Sequence, residues 1–234
     1  MLLLNLSPKF SSLKHNIYKK QFSHIWMFNL KELGYIAIAI IIFAFVASFI
    51  HSASAFFLAL LFGFIIISVN VLAKKIMAYY LDCYTQESLW TWQRYGFRKH
   101  QQFNFPILAG VIFPLVLSLV SQGVIKFLAF LEFDIHPATH RVAKRHGFYS
   151  YSELSELHIG IIAASGIFFN LVLSLIAFLL GFSELARLSI YFAVSNILPI
   201  SNLDGAKVFF GNRVLWTVIA TLCFLALVMS FVII

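Results

Sequence analysis

The sequence predicts an all-α polytopic membrane protein. Of its 234 residues, 61 per cent are hydrophobic and only 11 per cent are charged. An ordinary soluble domain carries about 25 per cent charged residues. Long apolar runs recur along the chain, and a run of roughly 20 such residues is enough to cross a bilayer as a helix. Because so few charges cannot cover a soluble globule, the composition excludes that class, and its hydrophobicity excludes disorder.

The positive charge of the chain is expected to face the bilayer surface. The formal net charge is +8, and most cations flank apolar runs, which is typical of positive-inside topology. The expected partner is therefore the lipid bilayer and not a nucleic acid. Residues 1–30 contain several lysines and aromatic side chains, and they predict a basic arm in the cytosol or at the membrane interface.

Residues 31–234 form the predicted membrane domain. Residues 33–73 contain no Lys, Arg, Asp or Glu, so they predict two helices with a break at residues 51–54. The basic pair Lys74-Lys75 would end the second helix on the cytosolic side. Apolar segments are expected at 33–50, 55–78, 106–131, 158–181, 186–201 and 213–234. This pattern predicts an integral, multi-pass protein with a cytosolic N-terminus.

The region between the second and fourth apolar segments is mixed in character. Residues 79–105 combine charges with tryptophans and predict a cytosolic segment that lies along the interface. The segment 106–131, which Pro114 interrupts, either spans the membrane or is re-entrant. The alternation of apolar and polar residues in 126–135 predicts a small strand element after residue 125.

Asp204 is the acidic residue that stands out. It follows the sequence Asn196-Ile-Leu-Pro199, where a proline breaks an apolar helix and frees carbonyl groups at membrane depth. An acid at such a break predicts a polar cavity lined by Asp204. The alternative is that Asp204-Gly205 is an ordinary turn after a helix end.

These residues carry a resemblance to a known family. Asn196-x-x-Pro199 followed by Leu203-Asp204-Gly205 resembles a ligand motif of the site-2 protease family, which consists of intramembrane zinc metalloproteases. The helix that contains Gly166-x-x-x-Asn170 is similar to a second family motif. The resemblance covers roughly residues 55–212 and implies a site-2-protease-like helical bundle. It also implies that Asn170, Asn196, Pro199 and Gly205 line a cleft beside Asp204.

The chain departs from the family where the zinc site would be. The family's HExxH motif places two histidine ligands and a catalytic glutamate on one helix face. The matching positions here are Asn70, Val71 and Lys74. Of the four key groups, Asp204 alone would be kept, and one carboxylate cannot hold a catalytic zinc. The resemblance therefore implies the fold without catalytic residues, a metal site or a cofactor.

Three functions remain open from the sequence. The first is a non-catalytic relative that binds or regulates transmembrane segments of other proteins. The second is an active intramembrane metalloprotease with an unusual ligand set, which alone would require zinc. His136-x-x-x-His140 has metal-ligand spacing, but it contains Pro137 and is interpreted as a polar loop. The third is a channel, a transporter or a structural membrane protein.

Lys74 and Asp204 each require a partner, because a lone charge inside a membrane is unfavourable. One hypothesis is that the two residues form an ion pair, with Asn70 donating a further hydrogen bond from one turn back on the same helix face. The alternative is that Lys74 extends to the cytosolic headgroups beside Lys75.

Overall fold

The computed structural model describes residues 29–49, 53–94, 102–137 and 155–232. Its helices are α1 Leu30–Ser48, α2 Ala53–Tyr80, α3 Ala109–Val120, α4 Glu156–Leu179, α5 Ser183–Ile197, α6 Asp204–Gly211 and α7 Arg213–Val232. Its strands are β1 Cys83–Leu89, β2 Trp92–Arg94, β3 Gln102–Ile107 and β4 Leu131–Pro137. Most of the predicted basic arm, part of the predicted break at 51–54, and His140 lie outside the described residues.

Helices α1, α2, α4 and α7 are long and apolar enough to cross a membrane. They support the prediction of a helical membrane protein. Two of the six predicted apolar segments contain shorter helices. Segment 106–131 contains α3, whose 12 residues extend about 18 Å at 1.5 Å per residue, against a hydrocarbon core of about 30 Å. Segment 186–201 contains most of the 15-residue α5 and the turn after it.

The long helices pack around α2 and α4. Helix α2 lies between α1 and α4, while α4 also packs against α5 and α6. Apolar side chains from α1, α2 and α5 form the largest buried cluster, as expected for helices that are apolar on nearly every face. In contrast, α7 buries few of its residues. The part of α2 near Lys74 is consequently enclosed by protein on several sides.

The prediction of a purely helical fold with one strand element is incomplete. Strand β4 confirms a strand after residue 125, although it begins at Leu131. The region 79–105, predicted as an interface segment, contains β1, β2 and most of β3. Strand β1 pairs with β4 and β2 with β3, both antiparallel. The physical reason is that alternate residues of β1 are buried, which is the period-2 pattern of a strand with one covered face.

Candidate functional site

Lys74 forms the centre of a buried ion-pair cluster. Its Nζ lies 3.0 Å from Glu87 Oε1 and 3.3 Å from Asp204 Oδ2. All three side chains are 1 % exposed or less. The hypothesis that Lys74 pairs with Asp204 is therefore confirmed, and the alternative, in which Lys74 extends to the headgroups, is wrong. The physical reason is that two carboxylates meet the ammonium within the protein, which favours the pair over solvation at the surface.

The break after α5 brings Asp204 to this place. Helix α5 ends at Ile197 and is followed by Leu198 in an extended conformation, as expected for the residue before a proline. After a turn in which Ser201 has a φ of 50°, α6 begins at Asp204. Asp204 therefore starts a helix, where the helix dipole favours a negative charge. The Pro199 ring itself is exposed and does not line the cluster.

Two glycines of the motifs allow close backbone approach at the cluster. A Cβ at Gly205 would overlap the carbonyl group of Ile197, so the start of α6 can pack directly against the end of α5. A Cβ at Gly166 would lie 2.8 Å from Asn70 Nδ2 and 3.0 Å from Lys74 Cγ. The absence of a side chain at Gly166 therefore lets α4 approach the polar face of α2.

The asparagines of the motifs do not complete the ion pair. The expectation that Asn70 donates to it is wrong, because its Nδ2 has no hydrogen-bond partner among the described residues. The reason is geometric, since this amide faces Gly166 on α4. Both amide atoms of Asn170 also lack a partner within the described part of the chain. Asn196 instead donates to the Phe192 carbonyl one turn back on α5.

Val71 lies apart from the charged groups. Its side chain is buried in the apolar cluster formed by α1, α2 and α5. Of the four positions that match the zinc-site motifs, the structure thus brings Lys74 and Asp204 into contact and places Asn70 beside Gly166. Val71 fills the core, as an apolar residue of its size is expected to do.

Lys75 and Glu32 form a second pair next to the first. Lys75 Nζ lies 2.7 Å from Glu32 Oε1 and also donates to the Thr85 carbonyl at 3.1 Å. Glu32 Oε1 in turn accepts from the backbone N–H of Glu87 at 3.3 Å. Both lysines near the end of α2 are therefore buried in ion pairs, which corrects the expectation that they form an exposed basic stop. Packing of β1 against α1 and α2 accounts for this difference. The location of the two lysines on the cytosolic side stays a prediction.

A third lysine approaches the cluster from α6. Lys207 Nζ donates to the carbonyl oxygen of Phe133 and lies 3.9 Å from the centroid of the Phe133 ring. Lys74 Nζ lies 4.8 Å from the same centroid. Two ammonium groups therefore contact one aromatic ring, whose π-electrons attract cations.

Burial shifts the pKa values of three groups in or beside the cluster, namely Glu87, Lys207 and Glu132. Burial raises the pKa of the Glu87 carboxyl, and the Lys74 ammonium opposes this rise. Burial lowers the pKa of Lys207, and the Asp204 carboxylate opposes this decrease. Burial also raises the pKa of Glu132 on β4, although a hydrogen bond from Thr91 acts in the other direction. In each case desolvation disfavours the charged form and a nearby partner favours it.

The cluster balances three cations with three anions. The cations are Lys74, Lys75 and Lys207, and the anions are Glu32, Glu87 and Asp204. Within the described residues, no group of three or more His, Cys, Asp or Glu is placed to hold a metal. Asp204 Oδ2 and Glu87 Oε1 instead contact the Lys74 ammonium group. This arrangement can clamp α2, β1 and α6 together, because each element contributes a charge to it.

Sequence reasoning missed Glu32, Glu87 and Lys207. Glu87 could have been found, because Cys83, Thr85 and Leu89 alternate with polar residues and Glu87 shares their buried face. If a strand with this buried face is predicted, the Glu87 carboxylate is buried as well, and a buried carboxylate needs a cation inside the protein as its partner. Nothing in the local sequence of α1 distinguishes Glu32 from an ordinary acidic residue in the first turn of a helix.

The fold defines the chain as a helical membrane protein whose apolar helices are expected to contact the lipid bilayer. No protein-family model, no curated protein and no solved structure matches the chain. The resemblance to site-2 proteases therefore remains a prediction.

Proposed function

We propose that this chain is a non-catalytic member of the site-2-protease-like membrane proteins, which binds or regulates membrane segments of other proteins. The observation that carries the proposal is the Lys74 ammonium between Asp204 and Glu87. A zinc ion beside these carboxylates would be repelled by the lysine at this short distance. The lysine instead supplies the positive charge that the carboxylates need, so the helices are held together without a metal.

The sheet formed by β1 and β4 lies beside the cluster and has two edges, of which the β1 edge is covered. Trp90 N donates to Phe130 O just beyond the last strand pair. Trp90 and Phe130 are thus a hydrogen-bonded pair, and such pairs alternate with non-hydrogen-bonded pairs along an antiparallel sheet. Glu87 and Phe133, three positions further along, are a non-hydrogen-bonded pair, so their backbone groups point away from each other, towards the two edges of the sheet. On the β1 side, Glu32 and Lys75 contact the outward groups of Glu87 and Thr85. Buried side chains thus cover this edge in place of a third strand.

The outer edge of β4 is the better candidate for strand addition. It directs the backbone groups of Leu131, Phe133 and Ile135 outward by the same alternation. Lys207 donates to the Phe133 carbonyl, and the side chain of Ile135 is partly exposed. An extended segment of a partner could pair with this edge through main-chain hydrogen bonds. Displacing Lys207 would free the carbonyl that such a strand needs.

The proposed topology places this sheet and the N-terminus in the cytosol. The lysines of the basic arm at residues 1–30 support a cytosolic location by the positive-inside tendency. A cysteine introduced at Ser52, on the opposite side, should react with an impermeant reagent added from outside. The two native cysteines are buried, which lowers the background of this experiment. Labelling of Ser52→Cys from the cytosolic side alone would contradict the topology.

Zinc analysis tests the absence of catalysis. The purified chain should contain far less than one equivalent of zinc. The Asp204→Asn variant should cleave membrane-protein substrates no less than the natural sequence does. The triple variant Asn70→His/Val71→Glu/Lys74→His rebuilds the family motif and should bind about one equivalent of zinc. Adding Asp204→Asn to this variant should lower the zinc content again.

Two results would contradict these expectations. Stoichiometric zinc in the natural sequence that is lost in Asp204→Asn would favour an active metalloprotease. Failure of the folded triple variant to bind zinc would remove the support for the family resemblance.

Photo-cross-linking tests binding at the edge of β4. A cross-linking residue at Ile135 should capture membrane-protein segments, whereas the same residue at Leu225, exposed on α7, should not capture them. In addition, the captured segments should be linked at alternate residues, because side chains of a strand alternate between faces. The same products from both positions would contradict the proposal.

A channel or transporter is the second candidate function. The buried amides of Asn70 and Asn170 favour it, because they lie in membrane-length helices, and Asn70 Nδ2 and both amide atoms of Asn170 have no hydrogen-bond partner among the described residues. Polar groups at that depth often mark ion or solute pathways. Ion flux through liposomes that contain the purified chain, reduced by Asn170→Leu, would support this candidate over the first.

A further inference from the structure

A charged cavity lies at the end of the helix bundle opposite the lysine cluster. Its volume is about 200 Å³. The last residues of α1, the first turns of α2 and the start of α5 line it, together with Lys126 from the chain between α3 and β4. We call it the distal cavity. Because helices end or begin around it, the distal cavity lies at the level where a bundle in a bilayer meets the headgroups.

Among the described residues that line it, the distal cavity has two cationic side chains and one anionic side chain. Lys126 and Arg187 line it and are partly buried, while Glu184 on the same wall is exposed. Burial lowers the pKa of Lys126, the carboxylate of Glu184 opposes this effect, and the charge of Arg187 reinforces it. Because both cations line the same cavity of about 200 Å³, their charges repel each other, and an anion between them would relieve that repulsion.

The ends of two helices add to the positive potential. Helix α2 begins at Ala53 and α5 at Ser183, and residues from the first turn of each line the distal cavity. The N-terminus of a helix carries a partial positive charge and favours anions. Two such ends and two cationic side chains therefore surround the same space.

The deeper wall of the distal cavity is apolar. Leu58, Ala59 and Phe62 extend along α2 away from the charged mouth, and Leu188 lies on α5. Leu58 is 47 % exposed on the bundle surface. A ligand that fits this wall and this mouth must have an anionic head and an apolar tail. An inorganic anion would leave the apolar wall without a contact.

We propose that the distal cavity binds the headgroup of an anionic phospholipid. The phosphate group contacts Lys126 and Arg187, and an acyl chain lies along Leu58, which is exposed on the surface of α2. A zwitterionic lipid fits less well, because its additional cationic group would enter a site that is already positive. The assignment goes beyond the proposed function, since the site lies at the other end of the molecule from Asp204.

Native mass spectrometry of the full chain in neutral detergent tests this assignment. The probes are short-chain phosphatidylglycerol, phosphatidylcholine with the same chains, and inorganic phosphate. Each basic residue near an anionic lipid contributes about a fivefold factor in affinity, so Lys126→Gln/Arg187→Gln should weaken phosphatidylglycerol binding by about 25-fold. Phosphatidylcholine binding should not change, and inorganic phosphate should not compete.

The control variant is Lys31→Gln/Arg213→Gln, which removes two exposed cations at the other end of the bundle and should leave phosphatidylglycerol binding intact. Glu184→Gln provides a test in the opposite direction, because loss of its negative charge should strengthen binding several-fold. Equal weakening in the two double variants, or unchanged binding in all variants, would overturn the assignment. Competition by inorganic phosphate at the concentration of the lipid would overturn it as well, in favour of a soluble phosphate ligand.

Discussion

The two ends of the helix bundle use cations in different ways. At one end, Lys74 and Lys75 are buried, and each contacts at least two acceptor groups from other elements. At the other end, Lys126 and Arg187 are partly buried at the mouth of a cavity, beside a single exposed carboxylate in its lining. The first pair of cations is balanced by buried carboxylates, whereas the second pair has one carboxylate, Glu184, among the described residues of the cavity lining.

This difference separates cations that hold the fold from cations that are placed to bind a ligand. A buried ammonium must be paired inside the protein, because its desolvation is otherwise strongly unfavourable. A partly exposed one keeps some contact with water and tolerates an incomplete set of partners. The folded state should therefore depend on the lysine cluster and should depend little on the distal cavity.

The largest expected effect follows from removing the central cation. Lys74→Met leaves the carboxylates of Glu87 and Asp204 buried without their ammonium partner, and should destabilise the fold by about 3–5 kcal/mol. Lys31→Met, which removes an exposed cation, should have almost no effect. Unfolding by denaturant in mixed micelles measures both free energies.

A variant that neutralises the whole ion pair sharpens this test. Lys74→Met/Asp204→Asn removes one positive and one negative charge, so the numbers of cations and anions in the cluster stay equal, and it should be milder than Lys74→Met alone. If the double variant were the less stable of the two, the lysine would not be acting as the partner of Asp204.

Gly205→Ala should have the next largest effect. The new Cβ would overlap the Ile197 carbonyl, and this contact is between backbone and Cβ, so neither can rotate away. Overpacking of this kind typically destabilises by about 1–3 kcal/mol. Gly34→Ala is the matched control, because nothing lies within 4 Å of a Cβ there and alanine favours a helix. Equal stability of the two variants would show that α6 does not approach α5 closely.

The second ion pair should contribute less than the first. Glu32→Gln keeps an oxygen that can accept from the Glu87 N–H, but removes the charge beside Lys75. Since Lys75 also keeps its bond to the Thr85 carbonyl, we expect a loss of about 1–2 kcal/mol in the free energy of unfolding. Glu32→Leu removes both contacts and should be clearly less stable than Glu32→Gln. Identical unfolding curves for the two variants would contradict the role of this carboxylate at the edge of β1.

The sequence predicts part of this cluster because isolated charges in apolar segments have few possible partners. Lys74 and Asp204 are 130 positions apart, yet each is a charge in apolar surroundings, and the two motifs suggest that they face each other. Glu87 was not predicted, because its contact with Lys74 depends on the packing of β1 against α2. That geometry is set by pairing with β4, more than 40 residues away, and local sequence does not fix such a register.

The shorter elements also show which features local sequence does not predict. The four membrane-length helices follow from composition and length alone. The segment 106–131 has the composition of a span, but α3 continues through Pro114 and ends after 12 residues, just before Gln122 and Gly123 adopt positive φ, and the rest of the segment is not helical. Hydrophobicity reports that a segment is buried or in lipid, and it does not report which secondary structure buries it.

The smallest effect on stability is expected from the cations of the distal cavity. In the absence of added anionic lipid, Lys126→Gln/Arg187→Gln should change the free energy of unfolding by less than about 1 kcal/mol, because both side chains retain contact with solvent. Loss of mutual repulsion between the two cations even favours the folded state of the variant. Added phosphatidylglycerol should stabilise the natural sequence in proportion to its occupancy and should stabilise the variant much less. The same denaturant titration, repeated with and without the lipid, measures both quantities. A loss of several kcal/mol without lipid would mean that these cations hold the fold as Lys74 does, and the distinction between the two ends would fail.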